Sequence, residues 1–254
     1  MDNNDFWEFS LKVAMPKSDY LLYIKNKVSD IVGKGKGVVT TIYSPSDVTL
    51  LIGVPMAQKM VLKSLLYSLI ADVVICVYKK DYICRRFDFG VKNDLLYKSF
   101  VQTLIAFDEE IDKRIVFQKL LPYDNIVLQS FVDFRLKVLK NKWNDLVSLA
   151  NDNYLYLLSG GNFLELMKFM LSNIESKEKC VEVDFDMEGK FNLKSSGKMI
   201  ELPMLIKNDN AENVVMSLVA LSPKKITINE SPYLTKEITG LLYELFGNKL
   251  EIVK

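Results

Sequence analysis

Glu182, Asp184, Asp186 and Glu188 alternate with Val181, Val183, Phe185 and Met187, so a strand over this run carries four carboxylates on one face. Carboxylate oxygens suit Mg2+ or Ca2+, and Asp184 and Asp186 are the nearest to a metal pair. Side chains two apart on a strand, however, spread over roughly 7 Å per step, which favours a solvated, salt-bridged face over convergence on one ion. Gly33-x-Gly35-x-Gly37, with Lys34 and Lys36, is the one phosphate-like loop. It follows a helix where phosphate loops precede one, and it lacks the Gly-x4-Gly-Lys-Ser/Thr spacing, so it reads as a connector. The chain has 0 His, which excludes Ser-His-Asp and Cys-His activation and two-histidine zinc helices. A hydrolase or transferase would have to work with carboxylates or lysine alone, and no cofactor motif is present.

One buried charge is expected. Placed at 100° steps as a single helix, Phe131, Phe134, Val138, Leu139, Trp143, Leu146 and Ala150 form an apolar arc with Arg135 in its middle and Lys142 two turns on. An unpaired buried cation costs about 3–5 kcal/mol. Asp108, within the arc of Phe100, Leu104, Phe107, Ile111 and Ile115 on the preceding helix, is the expected partner. Arg135, Asp108 and Lys142 thus form a helix-linking ion pair or, as the alternative, an anion site.

Charge narrows the partner class. The chain has 33 Lys+Arg against 32 Asp+Glu, and residues 1–92, 93–178 and 179–254 carry net +4, −2 and −1. Only the first segment leans basic, with scattered lysines, whereas nucleic-acid affinity rests on concentrated phosphate neutralisation. Cys76, Cys84 and Cys180 are too few for a disulfide framework and fit free thiols in a reducing cytoplasm. No signal peptide is read in MDNNDFWEF. Met56–Tyr78 is long enough for a membrane span, but Lys63 and Asp72 would each cost roughly 2.5–3.5 kcal/mol inside a bilayer. Ser64, Ser68 and Asp72 instead mark the polar stripe of a buried helix, and no membrane span is expected.

These residues require an α+β scaffold in three consecutive parts. A small N-terminal α+β subdomain (1–92) has strand Phe9-Leu11-Val13, a helix with Leu21, Ile24, Val28 and Ile31 inward, strands Val38–Tyr43 and Val48–Val54, and the long buried helix. A helical middle (93–178) has helices over Asn93–Leu120, Ile126–Leu158 and Asn162–Ile174. A C-terminal part (179–254) has a β-hairpin and a βαβ-type unit. The hairpin turns through a three-residue loop, Glu188–Lys190, with Met187 opposite Phe191 and Asp184 paired to Lys194. Beyond it come a helix over Ala211–Leu221, a strand over Lys225–Asn229, a helix starting near Pro232, and a last strand over Leu250–Val253, parallel to the previous one if they share a sheet.

Phe131-Val132-Asp133-Phe134-Arg135-Leu136-Lys137, then Tyr154-Leu155, Phe163-Leu164-Glu165-Leu166 and Leu221-Ser222-Pro223-Lys224-Lys225-Ile226-Thr227-Ile228, resemble the YtxC-like family, described as sporulation proteins. The likeness covers roughly residues 120–254. Its final strand often ends in cysteine, where this chain ends Glu251-Ile252-Val253-Lys254. The resemblance implies a cytosolic protein of endospore-forming bacteria and brings no reaction, cofactor or catalytic residue. The expectation is therefore a non-enzymatic, sporulation-associated interaction or structural protein, acting on an unknown protein partner or a second copy. The alternative is a ligand-sensing or nucleic-acid-associated regulator using the basic N-terminal segment.

Overall fold

The computed structural model describes residues 6–34, 37–86, 94–160, 162–202 and 206–253. In chain order the elements are β1 Phe6–Ala14, α1 Ser18–Lys34, β2 Val38–Tyr43, β3 Asp47–Pro55, α2 Lys59–Val73, α3 Lys80–Arg86, α4 Leu95–Ala106, α5 Glu109–Leu120, β4 Asn125–Val127, α6 Leu128–Arg135, α7 Lys137–Gly160 and α8 Asn162–Asn173. They continue as β5 Cys180–Phe185, β6 Phe191–Ser195, β7 Lys198–Met199, α9 Glu212–Leu221, β8 Lys225–Asn229, α10 Lys236–Phe246 and β9 Leu250–Val253. This is an α+β protein with two mixed sheets.

The chain divides into two interleaved units, Met1–Tyr78 with Glu110–Lys142, and Lys79–Glu109 with Trp143–Lys254. That differs from the three consecutive segments expected, because the stretch around α5 to α6 completes the sheet begun by β1. Each unit therefore closes through contacts far apart in sequence.

In the first unit the sheet order is β2-β3-β1-β4, antiparallel throughout except for the parallel pair β1 and β4. Alternation in β1 sends Trp7, Phe9, Leu11 and Val13 inward, and β3 sends Val48, Leu50, Ile52 and Val54 to the same face. Each such side chain contributes about 1.5–3 kcal/mol on full burial. From α1, Leu21, Ile24, Val28 and Val32 are buried. Val32 takes the place expected of Ile31, which is exposed, because the buried stripe drifts by one residue over three turns. In the connector, Gly35 and Lys36 lie outside the described residues. Gly37 is pinned where its backbone passes Val32 and Val54.

Helix runs on from Met56 to Arg86, with a π-helical stretch over Val74–Lys79. It is long and apolar enough to cross a membrane by length and composition, but 56% of its most apolar stretch is buried inside the protein, as in a core helix. Ser64 and Ser68 are exposed and Asp72 is ion-paired to Lys113 at 2.7 Å, so the polar stripe stands as expected.

In the second unit the order is β7-β6-β5-β8-β9, with β5, β8 and β9 mutually parallel. Parallel neighbours need crossovers, and α10 makes the one between β8 and β9. Thr235 caps α10, its Oγ1 accepting from the Ile238 N–H at 3.2 Å. The helix thus starts four residues after Pro232, since a threonine cap satisfies a first-turn donor that proline cannot. The hairpin pairs Phe185 with Phe191 and Val183 with Leu193. Its three-residue loop is Met187-Glu188-Gly189, one residue earlier than expected. Gly189 takes the left-handed last position (φ +81), and the Asp186 carboxylate accepts the N–H groups of Glu188 and Lys190, both at 2.9 Å. The resulting register shift of two keeps every side chain on its expected face. Asp184 and Lys194 still form an ion pair, at 2.7 Å, although Asp184 lies opposite Asn192.

Candidate partner-binding groove

The two helix-linking charges sit differently from expectation. The segment from Phe131 to Tyr154 is two helices: Leu136 (φ −105, ψ 29) ends α6 and α7 begins afresh at Lys137. A single 100° projection across that break assigns Arg135 to the wrong face. Arg135 is exposed, as are Phe134 and Val138, and an exposed guanidinium needs no buried counter-charge. Asp108 belongs to the other unit and lies off any helical arc, because it adopts φ +58 in the break between α4 and α5. Aspartate tolerates that conformation better than most side chains. In that same unit the C-terminal carbonyls of α4 are met by Lys79, a buried cation the sequence reading missed. Its Nζ donates to the carbonyls of Ile105 (3.1 Å) and Phe107 (2.8 Å), where the helix dipole favours positive charge. Lys142 pairs with Asp112 at 3.2 Å, and Asp112 is only 1% exposed.

Arg135 instead forms one wall of a groove in the first unit, lined by Tyr123, Asn125, Ile126, Val127, Phe134 and Arg135 among others. Its guanidinium carbon lies 5.6 Å from the Tyr123 ring centroid, a cation–π contact. The Tyr123 ring also meets Phe131 edge-on, with centroids 6.3 Å apart. Phe134 is 69% exposed and Val127 49% exposed at the rim.

The floor of this groove is held from behind. The buried Tyr67 hydroxyl on α2 donates to the Tyr123 carbonyl. Lys63, one turn earlier, donates to Asp124 Oδ1 at 2.7 Å. The Ser10 N–H of β1 donates to the Asp124 carbonyl (2.9 Å), and its hydroxyl donates to Asn125 Oδ1 (2.7 Å). Burial alone would raise the Asp124 carboxyl, but the hydrogen bond from Lys63, the Trp7 indole N–H beside it and the Lys63 charge hold it below the ordinary value. Burial likewise works to lower Lys63, and the bonds and charges of Asp124 and Tyr67 together outweigh it and raise the ammonium. Burial raises the Tyr67 phenol, which stays a neutral donor at physiological pH.

Asp184 and Asp186 lie in the second unit, in a shallow pocket at the carboxyl ends of β5 and β8. Asp184 accepts from Lys194 and Asn229, and the Lys194 bond lowers its carboxyl. Asp186 serves the hairpin loop. Tyr233 stacks on Phe185 (centroids 6.3 Å, 30° between planes) and donates to the Met187 carbonyl at 2.8 Å. Both carboxylates are thus engaged by protein groups, and no group of three or more potential metal ligands occurs among the described residues.

Residues 93–251 match the family model of the YtxC-like family, well over half of the chain. The chain belongs to the YtxC-like family. The match includes the groove residues Tyr123 to Arg135 and all of β5 to β8, and it leaves β1 to β3 outside. In this YtxC-like chain the residues that line the groove therefore all lie in matched sequence, while β1 to β3 of the sheet behind it lie outside the family model. No curated protein and no solved structure matches the chain.

Proposed function

We propose that the protein is a non-enzymatic, cytoplasmic, sporulation-associated interaction protein that receives a partner segment in the β4–α6 groove. The observation that carries this reading is the pairing of exposed Phe134 with Arg135, whose guanidinium has a ring contact and no ion pair among the described residues. Exposed aromatic and arginine side chains around a groove are the residue types that dominate binding hot spots. The partner chemistry that fits is an apolar side chain for Phe134 and Val127 beside a carboxylate for Arg135. Family membership supports the sporulation role, and a sparse, odd set of three cysteines supports a reducing compartment. Lys12, Lys63 and Lys142 are each committed to a carboxylate, which favours a protein partner over nucleic acid or an anion sensor.

The test replaces the native gene in an endospore-forming host with a Phe134→Ala, Arg135→Ala variant. Both side chains are exposed, so the purified variant should melt with the wild type. The expected result is loss of a captured partner from sporulating cells together with a fall in spore yield. Unchanged capture and unchanged spore yield would remove the reading.

A further inference from the structure

The opposite edge of the same sheet carries a second inference, independent of the groove. β2 is a six-residue edge strand, Val38-Val39-Thr40-Thr41-Ile42-Tyr43, with Val38 65% and Ile42 55% exposed. The Ser44 N–H donates to the Asp47 carbonyl at 2.8 Å, closing a hydrogen-bonded pair at the end of the hairpin. Such pairs recur at every second residue, so Ile42, Thr40 and Val38 direct their backbone groups to β3. Tyr43, Thr41 and Val39 direct theirs to the open edge.

Edge strands of soluble proteins are normally blunted by lysine, proline or a bulge. β2 has none of these over its length, and Val38 to Ser46 carries no charge at all. β2 itself sets no charge opposite its copy, the nearby Lys25 ammonium of α1 being held on the Thr41 hydroxyl at 3.4 Å, and a two-fold axis makes one strand complementary to its own copy.

We propose that this edge is where a second copy of the chain binds, the two β2 strands pairing antiparallel about a two-fold axis at Thr41. In that register Thr41 faces Thr41 of the other copy and Val39 faces Tyr43, so all three open-edge residues exchange both backbone bonds. On the exposed face Thr40 meets Ile42, a pair of β-branched side chains of the kind that stabilises sheets.

Analytical ultracentrifugation of the full chain tests this, with far-UV circular dichroism of each variant. Thr41→Pro removes an N–H that β3 does not use, and should weaken the dimer about 100-fold through the two bonds lost at the axis. Thr40→Glu keeps every backbone group and sets two carboxylates on diagonal positions roughly 7 Å apart. Should Thr41→Pro disturb the fold, Thr40→Glu decides alone. A concentration-dependent dimer in the wild type that is lost in the folded variants supports the proposal. A wild type that stays monomeric at every concentration, or a dimer indifferent to both substitutions, overturns it.

Discussion

The Tyr67 hydroxyl, buried on α2, donates to the backbone carbonyl of Tyr123, the residue whose ring carries Arg135. One hydrogen bond thus ties the core of the first unit to the wall of its groove. Phenylalanine at position 67 would keep the ring packing against Phe9 and Phe117 and remove the hydroxyl, which besides Tyr123 also meets Asp124 and Lys63. Tyr67→Phe is expected to cost about 1–2 kcal/mol, because a partly buried carbonyl loses its partner. Equilibrium urea unfolding checks this. A variant as stable as wild type would mean that solvent replaces the bond at no cost.

The close approach at Gly37 makes a second prediction. A Cβ built there would lie 2.7 Å from Val32 Cγ1, 2.7 Å from Val54 Cγ1 and 2.8 Å from the Gly53 carbonyl oxygen. Two of these neighbours are buried core side chains and the third is backbone of β3, so none can swing aside freely. Gly37→Ala is expected to lower stability by about 1–3 kcal/mol through overpacking. Gly33, whose Cβ would meet nothing within 4 Å, is the matched control. Thermal melts of the two alanine variants should separate, with Gly33→Ala near the wild type.

Much of this fold can be read from residue order, and what cannot has specific causes. The alternation of Phe9, Leu11 and Val13 and the helical spacing of Leu21, Ile24 and Val28 identify their elements because one face of each must be buried. The hairpin shows how local chemistry refines such a pattern: parity survived, while the carboxylate of Asp186 and the positive φ of Gly189 moved the loop by one residue. The helix breaks at Asp108 and Leu136 had no glycine or proline to announce them. β4 is three residues long and pairs with β1 across more than a hundred residues, as in Ser10 with Asn125, so no local period reveals it. Arg135 was legible as an unusual residue but not as an exposed one, since its facing depends on the break that follows it. Its position over Tyr123 depends in turn on Tyr67 and Lys63, whose roles appear only once α2 is packed.

The Lys63–Asp124 pair makes stability depend on pH in a definable direction. The Asp124 carboxyl is lowered in the folded state, so its contribution is fully present above the unfolded value of about 3.9 and is lost as pH falls through the lower folded value. Lys63 is raised above 10.5, so its share persists through neutral pH and disappears only in alkali as pH rises through the folded value. Asp124→Asn removes the first contribution and weakens the Lys63 share, whose loss shows only in alkali. Asp47, Asp133 and Asp184 are also lowered, and because they are common to both proteins their effects cancel in the comparison. The stability gap between wild type and Asp124→Asn, measured by urea unfolding, should therefore be constant from pH 8 to about 5 and shrink steadily below about 4. A gap that does not change with pH would mean that Asp124 acts there as a hydrogen-bond acceptor and not as a charge.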